Sequence, residues 1–187
     1  MTPRRIAPPG ELGGAAFFDT AIGRLGIAWS DRGVVGVQLP ESTEAATRSR
    51  MRRRFPEATE MQPPATIQAA IDGIAALLAG EPGVDLHEVD LDLHAVSEFD
   101  KAVYRTARDI PPGETLTYGE IAERLDDPGA ARAVGQALGA NPIPIIIPCH
   151  RVLAAGGRAG GFSAPGGVAT KLELLEIERR RTPFTLT

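Results

Sequence analysis

The stretch that most constrains this chain is Asn141 to Val152, which reads Asn-Pro-Ile-Pro-Ile-Ile-Ile-Pro-Cys-His-Arg-Val. Pro142, Pro144 and Pro148 lack an amide hydrogen and fix their own φ, so no helix can run through it. Ile145 to Ile147 are apolar and β-branched, the composition of a short buried extended segment. The sequence therefore predicts a stiff buried rod ending in Cys149, the only cysteine of the chain. A single cysteine excludes a disulfide within the chain and a cysteine-rich zinc site. A buried lone thiol is ordinarily an inert small hydrophobe. A nucleophilic one needs a base or a positive field beside it, and His150 and Arg151 follow at once.

Around this segment the chain has room for one ordinary domain or two small ones in its 187 residues. No apolar run approaches the ~20 residues that cross a bilayer, and the first ten residues lack the apolar core of a signal peptide. The expectation is a soluble, cytoplasmic monomer. The net charge of -4 speaks against indiscriminate nucleic-acid binding, but residues 1–98 carry 9 Arg against 14 acids while residues 99–187 carry 11 basic against 10 acidic side chains. Any DNA-facing surface is expected in the second half.

The Pro- and Gly-rich start, Met1 to Gly14, reads as a loose arm. Ala15–Thr20, Leu25–Ser30 and Val34–Leu39 read as an antiparallel meander separated by glycine-containing turns, with Trp29 a core aromatic. A helix is expected between Ser42 and Phe55, capped by Ser or Thr and ended by Pro56. Its arginines 48, 50, 52, 53 and 54 fall on several faces and read as a solvated surface rather than a DNA contact. Ile67, Ile71, Ile74 and Leu78 recur at helical spacing and should cover one face of the sheet. Val89 to Ala95 alternates apolar and polar residues, which predicts a half-exposed strand. His87 and His94 lack metal-ligand spacing and are read as solvent-facing strand residues.

After about Val96 the pattern turns helical. Ser97 should cap a helix burying Phe99, Val103 and Ile110 and ending at Pro111-Pro112-Gly113. Thr117 and Glu120 form a capping box for a short helix that carries Tyr118. Asp127-Pro128 opens another, Gly129 to Leu138, and the two read as a helix-turn-helix. The glycine-rich stretch from 156 to 167 should be a wing or lid. The last helix, Val168 to Arg181, is expected to turn Val168, Leu172 and Leu175 inward, with Lys171 and Glu178 one turn either side of Leu175.

Pro-Cys-His-Arg-Val, preceded by Asn-Pro-Ile-Pro and the isoleucine run, resembles the active-site motif of the methylated-DNA-protein-cysteine methyltransferases, the direct-reversal repair proteins for O6-alkylguanine. Flanking features extend the resemblance from about Phe99 to Glu178 and, more weakly, to the N-terminal hairpins. It implies an α/β protein: a small N-terminal antiparallel sheet with helices (1–96, including the arm), then a mainly helical domain (97–187) with a helix-turn-helix and the active-site cysteine. The implied partner is double-stranded DNA containing O6-alkylguanine, and no cofactor, metal or membrane is implied.

By that resemblance, Cys149 is the nucleophile and His150 takes its proton through a bridging water, oriented by Glu178. Tyr118 donates to the base as charge develops on it. Asn141 braces the turn between the recognition helix and the active-site segment, and backbone groups around Cys149, Val152 and Ser163 recognise the guanine. Arg132 fills the space left by a flipped nucleotide, and small residues including Ala131 and Gly135 allow close approach to the minor groove. Arg151 is assigned with these to the DNA-binding set.

Each residue also has a plainer reading: an exposed helical carboxylate for Glu178, a core aromatic for Tyr118, a solvated cation for Arg132, a helix-end residue for Asn141. Phe162 stands where many relatives have tyrosine, and the lid Ser163-Ala164-Pro165-Gly166-Gly167 is slightly longer than in some, which bears on substrate range. Three alternatives remain at this level: a non-catalytic alkylated-DNA binder, a kind that lacks the cysteine; a cysteine hydrolase using Cys149, His150 and Glu178; and a helix-turn-helix regulator, which leaves the cysteine motif unexplained.

Overall fold

The structure is a computed structural model that describes residues 11–181. Its first half is an antiparallel sheet of β1 (Leu12–Thr20), β2 (Gly23–Ser30) and β3 (Gly33–Gln38) in that order. β1 begins earlier than the sequence suggests, so the expected arm is partly strand; its first ten residues lie outside the described ones. Both faces of the central strand are covered, which is why Leu25 through Ser30 are all buried. Leu25, Ile27 and Trp29 join the main core with Ile67, Ile71 and Ile74 of α2 (Ala65–Leu78). Ala28 packs on the other side against Met51 of α1 (Glu44–Arg54), whose N-cap is Thr43. α1 sits so close to β3 that a Cβ on Gly36 would come within 2.1 Å of the Phe55 ring.

The strand expected over Val89–Ala95 is absent. Only Leu91 pairs, in an isolated parallel bridge to Val34, where Val34 donates to Asp90 O and accepts from Asp92 N. Arg108 Nη2 donates to the carbonyls of Leu86, His87 and Val89, so the stretch leading into this bridge is bonded to the helix that ends at Arg108 rather than to a neighbouring strand.

The second half is α3 (Glu98–Arg108), the short strand β4 (Leu116–Thr117), α4 (Tyr118–Arg124), α5 (Ala131–Gly139), β5 (Val152–Leu153) and α6 (Val168–Arg181). The capping box on α4 is complete: Glu120 N donates to Thr117 Oγ1, and Thr117 N donates to the Glu120 carboxylate. α4 and α5 form the expected helix pair, although Pro128–Ala130 is a 3-10 turn and the α-helix starts only at Ala131. Ser97 caps α3, but Phe99 is 37% exposed because it projects from the first turn. Tyr104 is the aromatic that α3 buries instead, and its hydroxyl donates to Ala137 O of α5. Parallel pairing of β4 with β5 brings Tyr118, the residue after β4, beside the strand that follows Cys149. No described helix is long and apolar enough to cross a membrane.

Candidate active site

The isoleucine segment is buried as expected, yet it is a coiled turn rather than an extended rod. Ile147 N donates to Ile143 O, and Pro144 and Ile147 form an isolated bridge. Ile145 takes φ +75°, an unfavourable region for a β-branched residue that surrounding packing must hold. Asn141 closes the turn: its Nδ2 donates to Ile147 O (2.9 Å) and its Oδ1 accepts from Ile143 N (2.9 Å). From outside, Val37 N and Arg54 Nη2 both donate to Pro142 O. The turn delivers Cys149 into a 3-10 turn, Cys149–Arg151, whose three side chains are all buried.

Behind the thiol lies a buried charged cluster. His150 Nε2 is 2.8 Å from Glu178 Oε1, and both residues are essentially inaccessible. Arg151 Nε and Nη2 donate to the same carboxylate at 2.8 to 3.2 Å, and Gly113 N donates to its other oxygen. Arg151 also donates through Nη1 to Ile110 O. Its assignment to the DNA-binding set is therefore corrected: it is 5% exposed and neutralises Glu178 rather than facing solvent. Burial alone would raise the Glu178 carboxyl, but hydrogen bonds from His150 and Arg151 and the charge of Arg151 outweigh it and hold the group down at about 2.

Burial likewise lowers His150, more than the adjacent Glu178 raises it, so the ring is neutral. With Glu178 ionised, Nε2 must carry the ring hydrogen, which leaves Nδ1 as an acceptor. Nδ1 is buried and has no protein partner among the described residues. The Cys149 thiol is raised mainly by burial, while Asn141, Lys171 and the amides of residues 149 and 150 pull it the other way.

Lys171 is the residue that sequence reasoning missed. It is fully buried, donates from Nζ to Val152 O (2.6 Å) and lies 5.9 Å from the centroid of the Tyr118 ring. Val168 and Leu172, expected inward, are 42% and 52% exposed. The inward face is Lys171, Leu174, Leu175 and Glu178, an i, i+3, i+4, i+7 set with charges at both ends. That spacing was the available signal.

On the outer side, a cavity of about 550 Å³ gathers Tyr118, Ala131, Arg132, Gly135, Cys149 and Ser163. Of the eleven residues named from sequence, the structure thus brings six to this cavity, puts His150, Arg151 and Glu178 behind it, and buries Val152 in β5. Asn141 holds the turn between. Arg132 is exposed, and Ser163 Oγ donates to Gly139 O. Burial, then the neighbouring Cys149, raises the Tyr118 hydroxyl, which keeps it a donor at neutral pH.

Residues 98–180 match the family model described as the 6-O-methylguanine DNA methyltransferase, DNA binding domain. A methylated-DNA–protein-cysteine methyltransferase of Mycolicibacterium paratuberculosis is 39% identical over 90% of this chain and 94% of its own length. The chain belongs to the methylated-DNA–protein-cysteine methyltransferase family. Its similarity extends to one from Methanothermobacter thermautotrophicus, 36% identical over 82% of this chain and 78% of the relative. Among solved structures, Mycobacterium tuberculosis OGT in complex with DNA superposes with a TM-score of 0.72 at 36% identity, covering 91% of this chain and 96% of that one. The fold expectation of an N-terminal antiparallel sheet followed by a mainly helical part holds throughout this family comparison.

Proposed function

We propose that this protein repairs DNA by direct reversal, transferring an alkyl group from O6-alkylguanine in double-stranded DNA to Cys149, irreversibly and once per molecule. The observation that carries the reading is the buried Glu178 bonded to His150, whose other nitrogen has no partner among the described residues, immediately after the lone cysteine. In this reading His150 Nδ1 takes the thiol proton through a bridging water, and Glu178 steadies the imidazolium that forms. Lys171 supplies a positive charge near the thiolate. Sulfur then attacks the alkyl carbon in line, the carbon–O6 bond breaks, and the electron pair leaves on the guanine while the Tyr118 hydroxyl donates to it.

The stacked base must first leave the duplex, and Arg132 on α5 fills its place, with Ala131 and Gly135 letting the helix approach closely. Backbone groups near Val152 and Ser163 recognise the flipped guanine. Residues 1–96 and 97–187 form the two domains, a division supported by the Ser97 cap and by the start of the matched region at residue 98. The protein acts in the cytoplasm as a monomer, one molecule per lesion. The thioether product cannot be hydrolysed as a thioester would be, which separates this chemistry from a cysteine hydrolase.

Cys149→Ala tests the reading. The variant is expected to bind methylated duplex with an affinity close to that of the unmodified protein while transferring nothing; methyl transfer by the purified variant would remove Cys149 from the role.

A further inference from the structure

Cys149 lies in the wall of a second cavity, of about 370 Å³, which opens toward the N-terminal sheet. Leu138, Gly139, Phe162 and Ser163 line both chambers, and the Ser163 to Gly139 hydrogen bond of 2.7 Å lies at their shared edge. The second chamber differs from the first in its charges: Arg50 and Arg54 of α1 line it, and no carboxylate does.

Arg54 is the informative one. Its Nη1 donates to Val37 O (2.8 Å) and Gln38 Oε1 (3.1 Å), and its Nη2 to Pro142 O (2.8 Å). All three acceptors are neutral, and no described acid forms an ion pair with it, although the guanidinium is half-buried. Arg50 is partly balanced by Glu41 at 3.3 Å. A partly desolvated cation whose bonds all go to neutral oxygens gains most from an anion brought into the same cavity.

We propose that this chamber receives the alkyl group of the lesion and that Arg54, assisted by Arg50, makes it selective for alkyl chains ending in a carboxylate. The inference rests on the alkyl-transfer reading above. The reaction is unchanged in its balance: the Sγ–carbon bond forms, the carbon–O6 bond breaks, the electron pair leaves on guanine, and the product is an S-(carboxyalkyl)cysteine. A methyl stays beside the sulfur, whereas a longer chain extends toward α1. The default expectation is the opposite preference, because the DNA phosphates disfavour an extra negative charge.

The test uses the purified full chain and duplexes carrying O6-methylguanine, a series of O6-(ω-carboxyalkyl)guanines from carboxymethyl to 5-carboxypentyl, and the carboxamide twin of each. Acid and amide match in size, so the ratio of their single-turnover rates within one protein isolates charge. At low salt the unmodified protein should favour the acid about fivefold at one or more chain lengths. Arg54→Gln should bring that ratio to about one, Arg54→Lys should retain part of it, and Arg50→Gln should lower it about twofold. If Arg54→Gln does not fold, the Arg50→Gln ratio decides. A ratio of one or less at every length in the unmodified protein overturns the inference, as does an unchanged ratio in the glutamine variants. Methyl transfer with a flat acid-to-amide ratio removes this inference alone, while failure to methylate Cys149 removes the alkyl-transfer reading and this inference with it.

Discussion

Helices α1 and α6 are similar in charge content and opposite in how they place it. In α1, Arg48 meets Glu44 and Glu60 on the surface, Arg52 and Arg53 are exposed, and the buried residues are Thr47 and Met51. In α6, Lys171 and Glu178 are buried while Val168 and Leu172 face solvent. Turning charges inward and apolar groups outward costs free energy unless each charge is met, so the inverted helix depends on the partners that its two inward charges find. In α6 the partners are Val152 O for Lys171 and His150, Arg151 and Gly113 for Glu178.

The contrast is broken most severely by removing the inner carboxylate. Glu178→Gln leaves Arg151 buried without its counter-ion and should cost about 3 to 5 kcal/mol in urea unfolding, whereas Glu44→Gln in α1 should cost less than about 1 kcal/mol. The sign of the pH dependence follows from the depressed carboxyl. Its stabilisation is present above the ordinary carboxylate range and is lost as pH falls toward about 2. The gap between the parent protein and Glu178→Gln should therefore narrow in acid, and a gap constant from pH 7 to pH 3 would contradict the ionised state.

A smaller effect is expected from Lys171→Met, which removes a positive charge near the sulfur and leaves Val152 O without its donor. Alkylation should slow about tenfold, with a stability loss of roughly 1 to 3 kcal/mol. Stopped-flow repair kinetics and unfolding midpoints measured on one preparation would show whether both change. The smallest effect belongs to Leu172→Gln on the exposed side of α6, expected within about 0.5 kcal/mol of the parent. A large loss there would mean that the outward face is covered in solution.

Local rules made much of this legible. The α4 capping box, the Ser97 cap and the glycine-containing turns of the meander each depend on residues a few positions apart, and each is present. The α6 face was misread because Leu172 and Val168 outrank Lys171 and Glu178 on any hydropathy pattern. The groups that make burial tolerable come from Gly113 and from residues 150–152, which periodicity within the helix cannot reveal. Residues 89–95 differ for a related reason: Arg108, distant in sequence, holds the Val89 carbonyl and the two carbonyls of residues 86 and 87 just before it, and only Leu91 pairs with the sheet. The isoleucine rod became a turn because the Asn141 side chain replaces the partner strand such a segment would otherwise need. At the site, Cys149 and His150 stand in the motif itself and Glu178 is reached only through the resemblance, while the placement of Arg151 in the DNA-binding set gives way to its burial against Glu178.

If the buried relay serves one irreversible attack by Cys149, each molecule accepts a single alkyl group and no more. Purified protein is titrated with duplex containing O6-methylguanine in the presence of EDTA and without added cofactor, and the reaction is followed by intact mass and peptide mapping. A gain of one methyl is expected, confined to the peptide containing Cys149, with repair reaching a plateau at one equivalent of lesion. Repair continuing past one equivalent, or a methyl found on any other residue, would contradict it.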